Sequence, residues 1–201
     1  MGCITLSGIG QSCTPAMGGI NTVILYDSSV DSTYTFDILL EGGEDLNVQN
    51  LKDAHFAYLD SVPTYNASYM AVYTPAEESS TLSAETTADK ANGIYFTQNT
   101  LSLVFNELSE TNVVEFNNLT TMKRSDHIRG FVRNNNKKWF MIGACSGLTS
   151  DTGSGNQGTA KTDGNTINVT LLDAGPYIYT PMDSDACAYL DAVVTAAGHP
   201  L

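Results

Sequence analysis

The chain has 201 residues, of which 42% are hydrophobic and only 15% charged. That is enough apolar surface for one domain with a real core, and it excludes a globally disordered chain. The formal net charge of −13, from 22 acidic and 9 basic residues, gives a surface that repels nucleic acid instead of binding it.

Residues 1–19 are rich in Gly, Ser and Thr and read as an N-terminal arm. No signal peptide is expected there, because no charged segment leads into an apolar core. Ile20 to Tyr26, INTVILY, reads as the first strand. YTFDILLEGG is a second, stopped by the turn signal Gly42-Gly43. EDLNVQNLKDAHFAYLD has no clean period and reads as irregular with a strand inside it. Ala67 to Thr74 alternates as a strand does, and STLSAETTAD reads as an edge strand. IYFTQNTLSLVFNEL follows the Asn92-Gly93 turn as a long strand.

The period then changes. Between Glu110 and Lys123 the apolar residues Val113, Phe116, Leu119 and Met122 recur every three positions, which predicts a helix with one buried face. Its propensity is weak, so packing must hold it. HIRGFVRNNNKKWFMIGACSG reads as a hairpin turning at Asn134-Asn135-Asn136. A glycine-rich segment over residues 146–163 is expected to be a flexible hairpin loop. In NTINVTLLDAG, residues Ile167, Val169 and Leu171 share one face of a strand. Pro176 and Pro181 bracket a short extended piece. DSDACAYLDAVVTAAG has the acidic start and Gly stop of a short C-terminal helix; residues 176–201 form a C-terminal extension. There is no repeat and no linker. The expected fold is mainly β, one domain over 1–201: a β-sandwich or partly closed barrel with one flanking α-helix.

DTGSGNQGTAKTDG, Asp151 to Gly164, resembles a phosphate-binding loop, with Gly153 and Gly158 at the right spacing. Such a loop needs Lys directly after its second Gly and then a helix whose N-terminus faces the phosphates. Here Thr159 and Ala160 stand in the decisive positions, Lys161 comes two residues late, and a strand follows. Nucleotide binding is therefore not expected. GACSG, Gly143 to Gly147, has the form of a nucleophile elbow, and Cys145, His127 and Asp126 can be drawn as a triad on paper. An elbow needs a helix straight after the nucleophile, and the four glycines of SGLTSDTGSGNQG do not supply one. Cys145 reads more simply as a small core residue at a strand end. Trp139 and the tyrosines fit either a sugar site or core packing, and core packing is the commoner use. No metal, cofactor or catalytic residue is expected.

Cys3, Cys13, Cys145 and Cys187 fit no zinc spacing and are expected to be free and mostly buried. No apolar run approaches the ~18 residues of a membrane span. Six of the nine basic residues, Lys123, Arg124, Arg129, Arg133, Lys137 and Lys138, fall in one short stretch. Two readings stand: a solvated hairpin with scattered charge, or one basic patch on an acidic body, suited to self-association.

The order of these features resembles the tail tube proteins of tailed bacteriophages, particularly those of phages with Bacteroidota hosts. The resemblance runs through MGCITLSGIGQSCTPAMGGINTVIL, then IYFTQNTLSLVFNEL before the helix. IRGFVRNNNKKWFMIGACSGL follows, then the Gly/Ser/Thr-rich loop and NTINVTLLDAG. It covers Met1 to Gly175 apart from Glu41 to Glu78, and leaves out Pro176 to Leu201. The resemblance implies a compact sandwich with one flanking helix. It further implies hexameric rings whose inner strands join into a continuous barrel, stacked into a tube for DNA. Partners would be further copies of the chain and the tape measure, terminator and distal tail proteins. Viral DNA would pass without specific binding, in a virion assembled in the bacterial cytoplasm, with no membrane involved.

An acidic lumen would let DNA slide, and a closed ring would leave no strand edge free. The expected assembly interface comprises Lys123, Arg124, Arg129, Arg133, Lys137 and Lys138 facing Glu41, Glu44 and Asp45. Gly153, Gly155, Gly158 and Lys161 add the loop, expected to order on a neighbour. A tail terminator, a head–tail connector ring and a secreted sandwich module remain as alternatives.

Overall fold

The computed structural model describes residues 18–27, 70–76, 79–89, 94–106, 109–121, 128–143, 146–156, 165–175, 179–182 and 184–199. The arm at 1–17, the stretch 28–69 and all of 157–164 lie outside the described residues. So do the two elements expected between Tyr34 and Asp60.

Nine strands and two helices are described: β1 (Ile20–Asp27), β2 (Met70–Tyr73), β3 (Thr81–Asp89), β4 (Ile94–Asn106), α1 (Glu110–Thr120), β5 (Ile128–Asn134), β6 (Trp139–Ile142), β7 (Thr149–Asn156), β8 (Thr166–Gly175), β9 (Thr180–Pro181) and α2 (Ser184–Ala196). They form two antiparallel sheets, ordered β2-β1-β5-β6-β9 and β3-β4-β8-β7. Among the described residues the two sheets stay separate, so the sandwich expectation holds and the barrel one does not.

Strand alternation builds the space between the sheets. Val23, Leu25, Val132 and Ile142 from the five-stranded sheet meet Leu101, Leu103, Ile167, Val169 and Leu171 from the other. Each fully buried side chain of this size stabilises by about 2 kcal/mol. Ile20 joins the same cluster although its parity is wrong. The β1–β5 register shifts between Ile20 and Thr22, so the bulge turns Ile20 back toward the core.

The other face of the five-stranded sheet is also covered. Ile24, Tyr26, Met70, Phe131, Trp139 and Met141 pack against Cys187, Leu190, Val193 and Val194 of α2. Helix α2 closes with the His199 N–H donating to Val194 O (3.2 Å) and the Gly198 N–H to Thr195 O (3.0 Å). Gly198 there has φ +80°, a left-handed stop that glycine takes without strain. The C-terminal segment is thus an integral third layer and not an extension. Helix α2, expected at the C-terminus, flanks the sandwich in addition to α1.

Helix α1 starts at Ser109, whose Oγ accepts the Asn112 N–H at 3.2 Å. It plugs one side of the sandwich. Leu119 is buried and Phe116 partly so, and the Tyr73 hydroxyl donates to Glu115 Oε2 at 3.1 Å. Val113, expected on the buried face, is 39% exposed.

Candidate assembly surface

The basic cluster read from the sequence does not form one patch. Arg129 and Arg133 are buried. They share a face of β5 with Phe131, and that face lies under α2. Arg133 Nε sits 3.1 Å from Asp191 Oδ1, and the same oxygen accepts the Trp139 indole N–H at 2.9 Å. These are contacts within the core. Lys137 and Lys138 are exposed on the β5–β6 turn and are the exposed cations among the described residues. Lys123, Arg124, Glu41, Glu44, Asp45, Gly158 and Lys161 lie outside the described residues, as do Asp126, His127 and Cys145.

The turn has a defined geometry. Asn134 Oδ1 accepts the N–H groups of Asn136 and Lys138, both at 3.0 Å, and Lys137 takes φ +59°. This is a three-residue hairpin loop with its left-handed position filled by lysine. Asn135 ties the turn to the entry of β1 through Nδ2 to Gly18 O at 2.7 Å.

The glycine-rich segment is corrected most. Its first half is strand β7, paired with β8 from Thr149↔Leu172 to Asn156↔Thr166, not a flexible loop. Gly153 and Gly155 alternate with Thr152, Ser154 and Asn156, so both glycines face inward, across from Val169 and Ile167. The reason for glycine is packing. A Cβ on Gly153 would overlap Thr120 Cγ2 and come within 3.0 Å of Phe116. The glycine therefore lets α1 lie directly on β7. The same extended conformation removes the phosphate-loop geometry, because the backbone N–H groups of β7 point alternately to its two sides and do not converge on one anion. Trp139 is fully buried, which removes it from any sugar site, and Cys187 is free and buried as expected.

Among the described residues the outer strands of the four-stranded sheet are exposed. On its outer face lie Ser83, Glu85 and Thr87 of β3 beside Thr100, Gln98 and Phe96 of β4. Thr166, Asn168 and Thr170 of β8 sit beside Asn156, Ser154 and Thr152 of β7. The four strands contain Glu85, Asp89, Asp151 and Asp173 and no Lys or Arg. Among the described residues both outer strands, β3 and β7, have one free edge. Residues Ser83 to Ala88 and Asp151 to Asn156 are exposed. With four alternating strands, the two edges run in opposite directions. Pairing β7 of one copy with β3 of another therefore continues the antiparallel pattern.

Sequence reasoning missed two buried polar joints. One is the Asp191 joint above. The other is Asp173, whose carboxylate accepts from Asn99 Nδ2 (3.0 Å), the Gly143 N–H (2.9 Å) and Ser146 Oγ (3.1 Å). Asn99 Oδ1 in turn accepts the Tyr179 N–H at 3.1 Å. The signal was there: Asp173 continues the inward series Ile167, Val169, Leu171, and a charge at an inward position requires partners.

Comparison of the chain with family models, with curated proteins and with solved structures finds no match to any of them.

Proposed function

We propose that the chain is a virion structural subunit that self-assembles into rings, stacked as the tail tube through which phage DNA passes. The observation that carries this reading is the four-stranded sheet. Among the described residues its two edges are unpaired and oppositely directed, and its outer face is a threonine- and serine-rich surface that carries Glu85 and no cation. Exposed edges of this length invite pairing with another chain. Pairing β7 to β3 between copies is heterologous and makes a ring when the rotation closes. The outer face then lines the lumen. Without Lys or Arg it releases no counterions from DNA and does not hold it. The partners under this reading are further copies of the chain and the other tail proteins, namely tape measure, terminator and distal tail protein. The subunit works without cofactor or catalysis.

Negative-stain microscopy and light scattering of the purified protein across a concentration series test this. Tubes with a central channel are expected. Single rings alone would favour a terminator or connector ring, and a monomer at every concentration would reject assembly in favour of a binding module.

A further inference from the structure

Helix α1 lies on the inner side of β7, at one edge of the four-stranded sheet, with Phe116 and Thr120 against Gly153. Val113, three residues before Phe116, lies on the same flank of α1 by helical spacing. It is one of three large hydrophobic side chains that stand exposed among the described residues. At the opposite edge of the same sheet, also on its inner side, is a groove of about 260 Å³ lined by Ile20, Leu82, Val132, Phe140 and Tyr179. The ring of Phe140 meets that of Tyr179 edge-on at 5.3 Å, giving the groove a firm aromatic wall.

The groove sits level with the seat of α1 on β7. One row across the sheet runs Thr81, Ser102, Thr170, Thr152. Thr81 lines the groove, and Thr152 is the neighbour of Gly153 under the helix. Their charges also match. Helix α1 carries Glu110 and Glu115 and no basic residue. Asn134, at the groove, belongs to the turn that holds Lys137 and Lys138.

We infer that the occupant of the groove is helix α1 of the next copy, with Val113 seated between Leu82 and Tyr179. The contact rests on the head-to-tail assembly proposed above and deepens it. Edge pairing alone aligns strands but leaves their register free to slip by two residues. A side chain in a pocket beside the edge selects one register. It also explains an exposed valine on a helix whose buried face is complete without it.

The test is a photo-crosslinking residue, p-benzoylphenylalanine, placed at position 113, in a mixture of ¹⁴N- and ¹⁵N-labelled copies. Crosslinks between copies to Thr81–Leu82, Phe140 or Tyr179 are expected. Oligomers whose crosslinks map elsewhere would overturn the contact and leave the assembly reading standing. A protein that stays monomeric at all concentrations would overturn both. As a second measurement, Val113→Lys should raise the concentration needed for assembly about ten-fold, the effect of losing one buried valine, with an unchanged melting curve. Val114→Lys, on the side of the helix away from β7, should leave assembly as it is. Equal effects of the two variants would count against the contact.

Discussion

Asp191 Oδ1 sits 3.1 Å from Arg133 Nε and 2.9 Å from Trp139 Nε1, so one carboxylate oxygen of α2 serves two buried groups of the sheet beneath it. The Arg133 side chain is 3% exposed and that of Asp191 28%. The aspartate thus joins the third layer to the sandwich at the rim of an apolar interface. Asp191→Ala strands a guanidinium and an indole N–H under the helix. Destabilisation of about 3 kcal/mol is expected, read from urea unfolding. Asp191→Asn, which still accepts one bond, should cost less. Equal stability of Asp191→Ala and wild type would refute the joint.

Asp173 makes the same argument for the other buried acid. Asp173→Ala leaves the Asn99 amide and the Gly143 N–H without an acceptor, and a loss of about 2–4 kcal/mol is expected. Because Gly143 ends β6 in one sheet while Asn99 and Asp173 belong to the other, amide exchange should quicken in both sheets together. Exchange confined to one sheet would show that the joint does not couple them.

Gly153→Val tests how α1 is seated. The added side chain meets Thr120 Cγ2 and the Phe116 ring, so helix or strand must move, at a cost of about 1–3 kcal/mol. Thr120→Ala on the same background should recover part of that loss. A fully additive double variant would show that the two residues are not coupled.

Proline at Ala84 and at Glu85 probes the free edge of β3. Neighbouring N–H groups of a strand point to opposite sides, one to β4 and one to the open edge. One variant should unfold the strand. The other should fold normally and fail to assemble, as seen by melting and light scattering side by side. Two variants that both fold and both assemble would clear the edge of any role.

Lys137→Glu with Lys138→Glu should leave the melting temperature unchanged and impair assembly, most clearly at low salt. Lys137→Gly separates backbone from charge. It relieves the left-handed φ of +59° and should stabilise the hairpin by roughly 1 kcal/mol. If assembly survives both changes, the turn is only a turn.

Period and punctuation in the sequence determined the elements. The apolar run INTVILY marked β1, and the alternation of Ile167, Val169 and Leu171 marked β8. The switch to a spacing of three marked α1, the Asn-rich turn marked the β5–β6 hairpin, and Gly198 marked the end of α2. These signals act within a few residues, so one chain segment carries them whole. Tertiary structure decided what each element meets, and there sequence reasoning went astray. Arg129 and Arg133 looked like surface charge because helix α2, which buries them, lies more than fifty residues further along the chain. Gly153 looked like loop flexibility because the helix it accommodates comes to lie on it only in the folded protein. A strand of small residues and a flexible loop have the same composition. They differ only in whether a partner strand takes up the backbone hydrogen bonds and a neighbour fills the space that the missing side chains leave.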